Sequence, residues 1–265
     1  MPRADSGDLG TAWFRRHPVD GARIRLLCLP HAGGSAVLFH SWQKRLPPDV
    51  EVVAVQYPGR QDRLAEPCVT DMDELVGHIT AAVRPLLDLP LAVFGHSMGS
   101  SAAYETAKAL EQKHGFVVDH LFVSGRGAPY SVRGRFRGPL DDRTLIGYAR
   151  GLGGRHAAAY DEPTLAPLIM PALRGDFQLL HDYRPSDPVA LSAPVTAFGG
   201  ESDPVCTREE LLSWARTTSH ELDVRTFPGG HFYLMEQEED LLAHVSERLT
   251  AGHRPGTGRA LAPDS

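Results

Sequence analysis

One stretch limits the fold more than any other: Phe94-Gly95-His96-Ser97-Met98-Gly99. Before it lies Leu89-Pro90-Leu91-Ala92-Val93-Phe94, a short apolar run that reads as a buried strand. After it, residues 100–107 are mostly small and read as a helix. Gly-x-Ser-x-Gly in that setting predicts a strand turning sharply into a helix, which strains the serine backbone and lifts its Oγ above the sheet. Gly95 and Gly99 supply the room, because a Cβ at either would crowd the turn or the neighbouring strand. The pattern points to Ser97 as a nucleophile. The plainer alternative is an ordinary strand–helix turn whose serine caps the helix.

The rest of the chain alternates in the same way. Strands are expected at 23–29, 50–55, 120–124, 195–198 and 222–227, with helices at 208–217 and 241–249. A further helix should carry Leu38, Phe39 and Trp42 and end at Pro47-Pro48. Asp71 can cap another, with Glu74 reaching back and Leu75, Val76, Ile79, Val83 and Leu86 forming its apolar stripe. Trp13 and Phe14 are expected to anchor the N-terminal arm on the core. Between about 128 and 187 no strand is evident. Asp141 starts one amphipathic helix, and 164–183 reads as one or two more, interrupted by Pro167 and Pro171. The expectation is one α/β domain over 1–265: a mostly parallel sheet covered on both faces, a helical lid at 128–187 and a disordered tail at 252–265.

Composition removes several function classes. With 265 residues, 42% of them hydrophobic, one sizeable core can be buried. Lys and Arg total 27 against 33 Asp and Glu, a net charge of −6, which argues against non-specific nucleic-acid binding. No apolar run approaches the ~18–20 residues that span a bilayer. Residues 1–8 hold no apolar leader segment. Three scattered cysteines, Cys28, Cys68 and Cys206, fit a reducing compartment rather than a disulfide frame or a zinc site. A cytoplasmic enzyme is expected, with no membrane partner.

A serine hydroxyl needs a base to take its proton. In this architecture the acid and then the histidine should follow the serine, each in a loop at a strand's C-terminal end. Glu201-Ser202-Asp203-Pro204 and Pro228-Gly229-Gly230-His231-Phe232 occupy those places. Thirteen histidines are present. His78, His114 and His244 fall on helices, His220 precedes a strand, His31 breaks the chain order, and His96 is expected to point away from the serine's partner. His231 remains; its alternative is a turn histidine. Asp203 is the expected acid, with Glu201 as rival and an Asx turn ahead of Pro204 as the bland reading. Two backbone N–H groups should form an oxyanion hole, that of Met98 and that of Ala32 in the loop after the first long strand. Gly33-Gly34 could form a weak phosphate cradle, but no Gly-Lys-Ser/Thr follows. No histidine–carboxylate spacing suggests a metal.

Leu29-Pro30-His31-Ala32-Gly33-Gly34-Ser35, Tyr57-Pro58-Gly59-Arg60-Gln61-Asp62-Arg63, Gly95-His96-Ser97-Met98-Gly99, Asp203-Pro204 and Pro228-Gly229-Gly230-His231-Phe232 stand in one order along the chain. Together they resemble the stand-alone type II thioesterases of polyketide and nonribosomal peptide assembly lines, over roughly residues 13–249. The resemblance implies an α/β-hydrolase fold with a mobile helical lid. It implies hydrolysis of stalled or wrong acyl groups from the phosphopantetheine arm of acyl or peptidyl carrier proteins, with no cofactor of the enzyme's own. By motif position it carries over Ser97, Asp203 and His231 as the triad, and Ala32 and Met98 as oxyanion donors. Where the family often has a second Phe after His-Phe, Tyr233 stands here, and at most a small change in the pocket wall is expected. A generic serine esterase on the same fold is the alternative.

Leu165, Leu168, Ile169, Leu173, Phe177 and Leu180 are expected to wall an acyl pocket in the lid, with Phe232 beside it. Arg126, Arg133, Arg135 and Arg137 form either a solvated basic loop with no partner or a docking patch for the acidic carrier, with Arg60 and Arg63 as the fallback docking site. A monomer is expected.

Overall fold

A computed structural model describes residues 12–131, 138–153, 159–160, 162–185 and 187–251. Its centre is a seven-stranded sheet: β1 (Phe14–Arg16), β2 (Ile24–Leu29), β3 (Val50–Val55), β4 (Leu91–His96), β5 (His120–Ser124), β6 (Val195–Gly200) and β7 (Asp223–Phe227). The strand order is β1-β3-β2-β4-β5-β6-β7. All pairings are parallel except β1 against β3, where Phe14 faces Val55. The sheet and its helices form an α/β-hydrolase fold. Each of β2 to β6 is buried along its whole length, which is why they read as continuous apolar runs instead of alternating ones.

The strand period of two still sorts the side chains between two layers. Leu27, Leu29, Val53, Val55 and Val93 face α2 (Met72–Val83) and α3 (Met98–His114), packing near Ile79, Ala103 and Trp214. Leu26, Cys28, Val52, Ala54 and Phe94 face the other way, toward Phe39, Trp42, Leu241 and Val245. Trp42 and Trp214 are at most 1% exposed. Each withdraws on the order of 200 Å² from water, about 5 kcal/mol of transfer free energy at ~25 cal/mol per Å².

Several elements depart from the sequence reading. The helix expected through Leu38, Phe39 and Trp42 is a 3₁₀ turn, Ala36–Phe39, followed by the short α1 (Trp42–Arg45). His40 and Ser41 separate them, and Ser41 makes no side-chain cap. Asp71 caps α2 by accepting the Glu74 N–H at 2.8 Å, whereas the Glu74 carboxylate lies 3.6 Å from His78 Nε2 on the next turn. Trp13 and Phe14 anchor the N-terminal arm in the core as expected, each 5% exposed, and the arm also adds the edge strand β1.

The strandless region carries α4 (Asp142–Gly151) and α5 (Ala166–Asp182). Asp141 caps α4, its carboxylate accepting the Thr144 N–H at 3.0 Å. α5 is one unbroken helix. Pro167 falls in its first turn, where the backbone needs no N–H donor. Pro171 lies inside and removes one intrahelical bond without ending the helix. After β6 come α6 (Arg208–Leu212) and a 3₁₀ turn in place of one helix at 208–217, then α7 (Tyr233–Glu236) and α8 (Glu238–Ala251) beyond β7. The expected tail at 252–265 lies outside the described residues.

Candidate active site

β4 delivers the chain into Ser97 at φ 55° and ψ −118°. Gln61, at φ 54°, is the other described non-glycine residue with positive φ. Such a backbone costs roughly 1–3 kcal/mol and persists where its surroundings fix it. The surroundings here are tight: a Cβ on Gly95 would lie 2.1 Å from the Gly99 carbonyl oxygen, and one on Gly99 2.1 Å from the Leu29 oxygen. Ser97 N–H donates to Ser124 O at 2.7 Å, and Ser100 Oγ donates to Gly95 O at 2.8 Å. The elbow is thus tied to the ends of β4 and β5, and the helix-cap alternative for Ser97 has no cap hydrogen bond behind it.

The β6–α6 and β7–α7 loops bring the other two groups together. His231 Nδ1 lies 2.8 Å from Asp203 Oδ2. Asp203 Oδ1 accepts the N–H groups of Val205 at 2.9 Å and Cys206 at 3.2 Å. The carboxylate is therefore held on both oxygens, at side-chain exposures of 0% for Asp203 and 1% for His231. Glu201, the rival acid, is exposed. His231 Nε2 is buried and makes no hydrogen bond to the protein, so Ser97 Oγ and His231 Nε2 are not hydrogen-bonded in this structure. Catalytic hydrogen bonds are often long before substrate binds.

His96 does not point away. Its ring packs 5.0 Å from that of His231 and 5.8 Å from that of His31. Its Nδ1 meets Ser124 Oγ at 2.9 Å, and Ser124 Oγ meets the Tyr233 hydroxyl at 2.7 Å. Burial, then the neighbouring His231 and His31, hold His96 well below the usual imidazole range. It therefore stays neutral beside the His231 ring. Tyr233 is fully buried in this brace, so it lies behind the site and not in a pocket wall.

Of the two expected oxyanion donors, Met98 opens α3 and Ala32 lies in the loop after β2. Gly33 N–H is committed to Asp176 Oδ2 at 2.7 Å and Gly34 N–H to His31 O at 2.9 Å. The Ala32 N–H makes no hydrogen bond among the described residues. The charged turn after β3 lies against the same loop: Tyr57 OH donates to Pro30 O at 3.3 Å, and Ala36 N–H donates to Gln56 Oε1 at 3.3 Å.

Leu173 and Phe177 on α5 are buried with Leu145 and Met170, and Ala32 packs against this cluster. A Cβ on Gly33 would meet Leu173 Cδ1 at 3.1 Å. Leu165 and Leu168, expected in the pocket wall, are 44% and 47% exposed. They sit at the start of α5, on its outer side. Phe232 belongs to the other layer, its ring 4.8 Å from His31 and 5.2 Å from His231.

Of the expected docking arginines, Arg133, Arg135 and Arg137 lie outside the described residues. Arg126 is no free surface charge: its Nε donates to Ser101 Oγ at 2.9 Å, and burial lowers its pKa. Arg60 and Arg63 are 6% and 7% exposed, so the fallback surface does not exist there. Arg63 instead donates to Gln56 O at 2.8 Å and pairs with Glu66, while Arg60 pairs with Asp176. Asp176 was not singled out from the sequence. The available signal was one acid beside Phe177 in an apolar helical stripe. Among the described residues no group of three or more metal-ligating side chains occurs, and no helix is long and apolar enough to cross a membrane.

A serine on a strained elbow, with a carboxylate-bound histidine at the same sheet edge, defines the class of serine hydrolases on the α/β-hydrolase fold. Within that class, the model of the Thioesterase domain family matches residues 24–249, and the chain belongs to that family. It is an enzyme that hydrolyses thioesters. It is 41% identical over 253 residues to Thioesterase PikA5 of Streptomyces venezuelae, covering 95% of this chain and 90% of that one. It is 34% identical to the Gramicidin S biosynthesis protein GrsT of Aneurinibacillus migulanus, covering 89% and 93%. The solved type II thioesterase BorB, from the borrelidin biosynthetic cluster, superposes with a TM-score of 0.81 at 36% identity, covering 94% of this chain and all of that one.

Proposed function

We propose that this chain is an editing thioesterase, clearing stalled or wrong acyl groups from carrier proteins of a polyketide or nonribosomal peptide assembly line. The observation that carries the chemistry is His231: Nδ1 is fixed on Asp203 at 2.8 Å and Nε2 is buried without a protein partner, at the sheet edge where Ser97 projects. Ser97 Oγ attacks the thioester carbonyl and His231 Nε2 takes its proton. The oxyanion is met by the N–H groups of Ala32 and Met98. The tetrahedral adduct collapses, the C–S bond breaks, and His231 returns the proton to the departing thiolate, whose free pKa near ~8.5 makes it a good leaving group. Water, deprotonated by His231, then releases the acid from Ser97. Asp203 orients the imidazole and stabilises its cation.

GrsT is a gramicidin S biosynthesis protein and BorB comes from the borrelidin biosynthetic cluster, and on this reading the substrate brings its own phosphopantetheine, so no further cofactor enters. The reading includes a cytoplasmic monomer, the helical region as a lid, and docking of an acidic carrier on the arginines at 133, 135 and 137. The test is hydrolysis of carrier-bound acetyl, propionyl, malonyl, aminoacyl and longer acyl groups beside a p-nitrophenyl ester. Editing predicts higher kcat/KM on the carrier thioesters. A preference for the free ester would favour a generic esterase.

A further inference from the structure

Arg60 and Asp176 form a two-pronged ion pair, Nη1 to Oδ2 at 2.6 Å and Nη2 to Oδ1 at 2.8 Å. Their side chains are 7% and 4% exposed. Arg60 comes from the turn after β3, and Asp176 from the middle of α5, 116 residues later. Desolvating two charges offsets much of their attraction, so a buried pair is weak evidence for a purely stabilising role. This pair has a second set of contacts. Asp176 Oδ2 also accepts the Gly33 N–H at 2.7 Å, and Arg60 Nη1 also donates to the Gly34 carbonyl at 3.2 Å. Both ends of the Gly33-Gly34 step are thereby gripped. With Gly34 N–H bound to His31 O, the Ala32 N–H is left without a hydrogen bond among the described residues. The turn that aims Arg60 is itself strained, at Gln61.

We propose that Asp176, held by Arg60, is a positioning residue for the oxyanion hole: it fixes residues 31–34 so that the Ala32 N–H meets the reacting oxygen, and completes the hole only when α5 is seated. This rests on the acyl-Ser97 reading above.

Asp176→Asn keeps the shape but not the charge that holds Arg60 and Gly33 together. The proposal expects kcat to fall about 10- to 100-fold, less than the ~10²–10³ lost when an oxyanion donor is removed outright, with KM within about threefold. Affinity for phenylboronic acid, whose tetrahedral Ser97 adduct places an oxygen in the hole, should fall by the same factor as kcat. Arg60→Lys, a second variant should the first fail to fold, is expected to shift both quantities in the same direction by less. Unchanged kcat, a change in KM alone, or a kcat loss without matching loss of boronate affinity in a folded variant would each overturn it. Wild-type labelling by a fluorophosphonate separates the two readings. No label on Ser97 defeats the proposed function. A labelled wild type with a fully active Asp176→Asn defeats only the positioning role.

Discussion

Ser97 is held in place by its neighbours' lack of side chains, and His231 by a carboxylate with no freedom left. Asp203 accepts three hydrogen bonds on two oxygens, one of them from His231. That geometry separates it from Glu201, which is exposed and two residues away. Asp203→Asn leaves the packing intact but offers Nδ1 an amide in place of a charge. It is expected to lower kcat by orders of magnitude, whereas Glu201→Gln should leave it within about twofold. Steady-state hydrolysis of an acyl-cysteamine thioester checks both, and the reverse ranking would move the acid to Glu201. Residue spacing and strand-end placement were enough to put Ser97, Asp203 and His231 on loops of one edge. They could not orient His96, because a ring inside the elbow is aimed by Ser124 and Tyr233, and Tyr233 lies 109 residues beyond Ser124.

At the scale of elements, α5 is the proposed wall of the acyl pocket and, through Asp176, the proposed brace of the loop. Its Leu173 and Phe177 face the loop that carries Ala32, while Leu165 and Leu168 face out. Leu173→Trp adds bulk where Leu173 already lies 3.1 Å from a Cβ position on Gly33. The expected outcome is a shift of preference toward shorter acyl chains with acetyl turnover retained, read from a chain-length series on one carrier. An unchanged series would place the acyl group elsewhere. Strands β2 to β6 were legible because each is a short, mostly apolar run buried on both faces. The continuity of α5 was not legible. Pro171 breaks an isolated helix, but here Met170 before it, and Leu173, Phe177 and the Asp176–Arg60 pair after it, hold the helix by tertiary contact. β1 was missed because three residues are too few to show a period.

For the molecule as a whole, two buried imidazoles set an acid limit on stability. His96 is held well below the usual range by burial, then by His231 and His31. His120 is lowered to about 4 by burial first and Arg248 next, while its Nε2 meets Thr196 Oγ1 at 2.9 Å. Unfolding frees both to bind protons near ~6.5, so the unfolded state gains protons that the folded state refuses. Stability is therefore full above that value and lost as pH falls toward 4, by up to roughly 1.4 kcal/mol per pH unit for each imidazole. Urea midpoints at pH 7, 6 and 5 should decline, and His120→Gln should flatten the decline. A midpoint independent of pH over that range would contradict the burial argument. The net charge of −6 does not by itself attract an acidic carrier; under the docking proposed above, a local arginine patch would supply the pull, screened by salt over a Debye length of ~8 Å at 0.15 M. The central claim is that Ser97 carries the acyl group from a carrier-bound thioester to water. The direct measurement is the hydrolysis rate of one acyl-carrier thioester by wild type and Ser97→Ala at equal concentration, with folding checked by circular dichroism. The account predicts a fall in kcat of roughly 10⁴–10⁶; more than about a tenth of the wild-type rate remaining would contradict it.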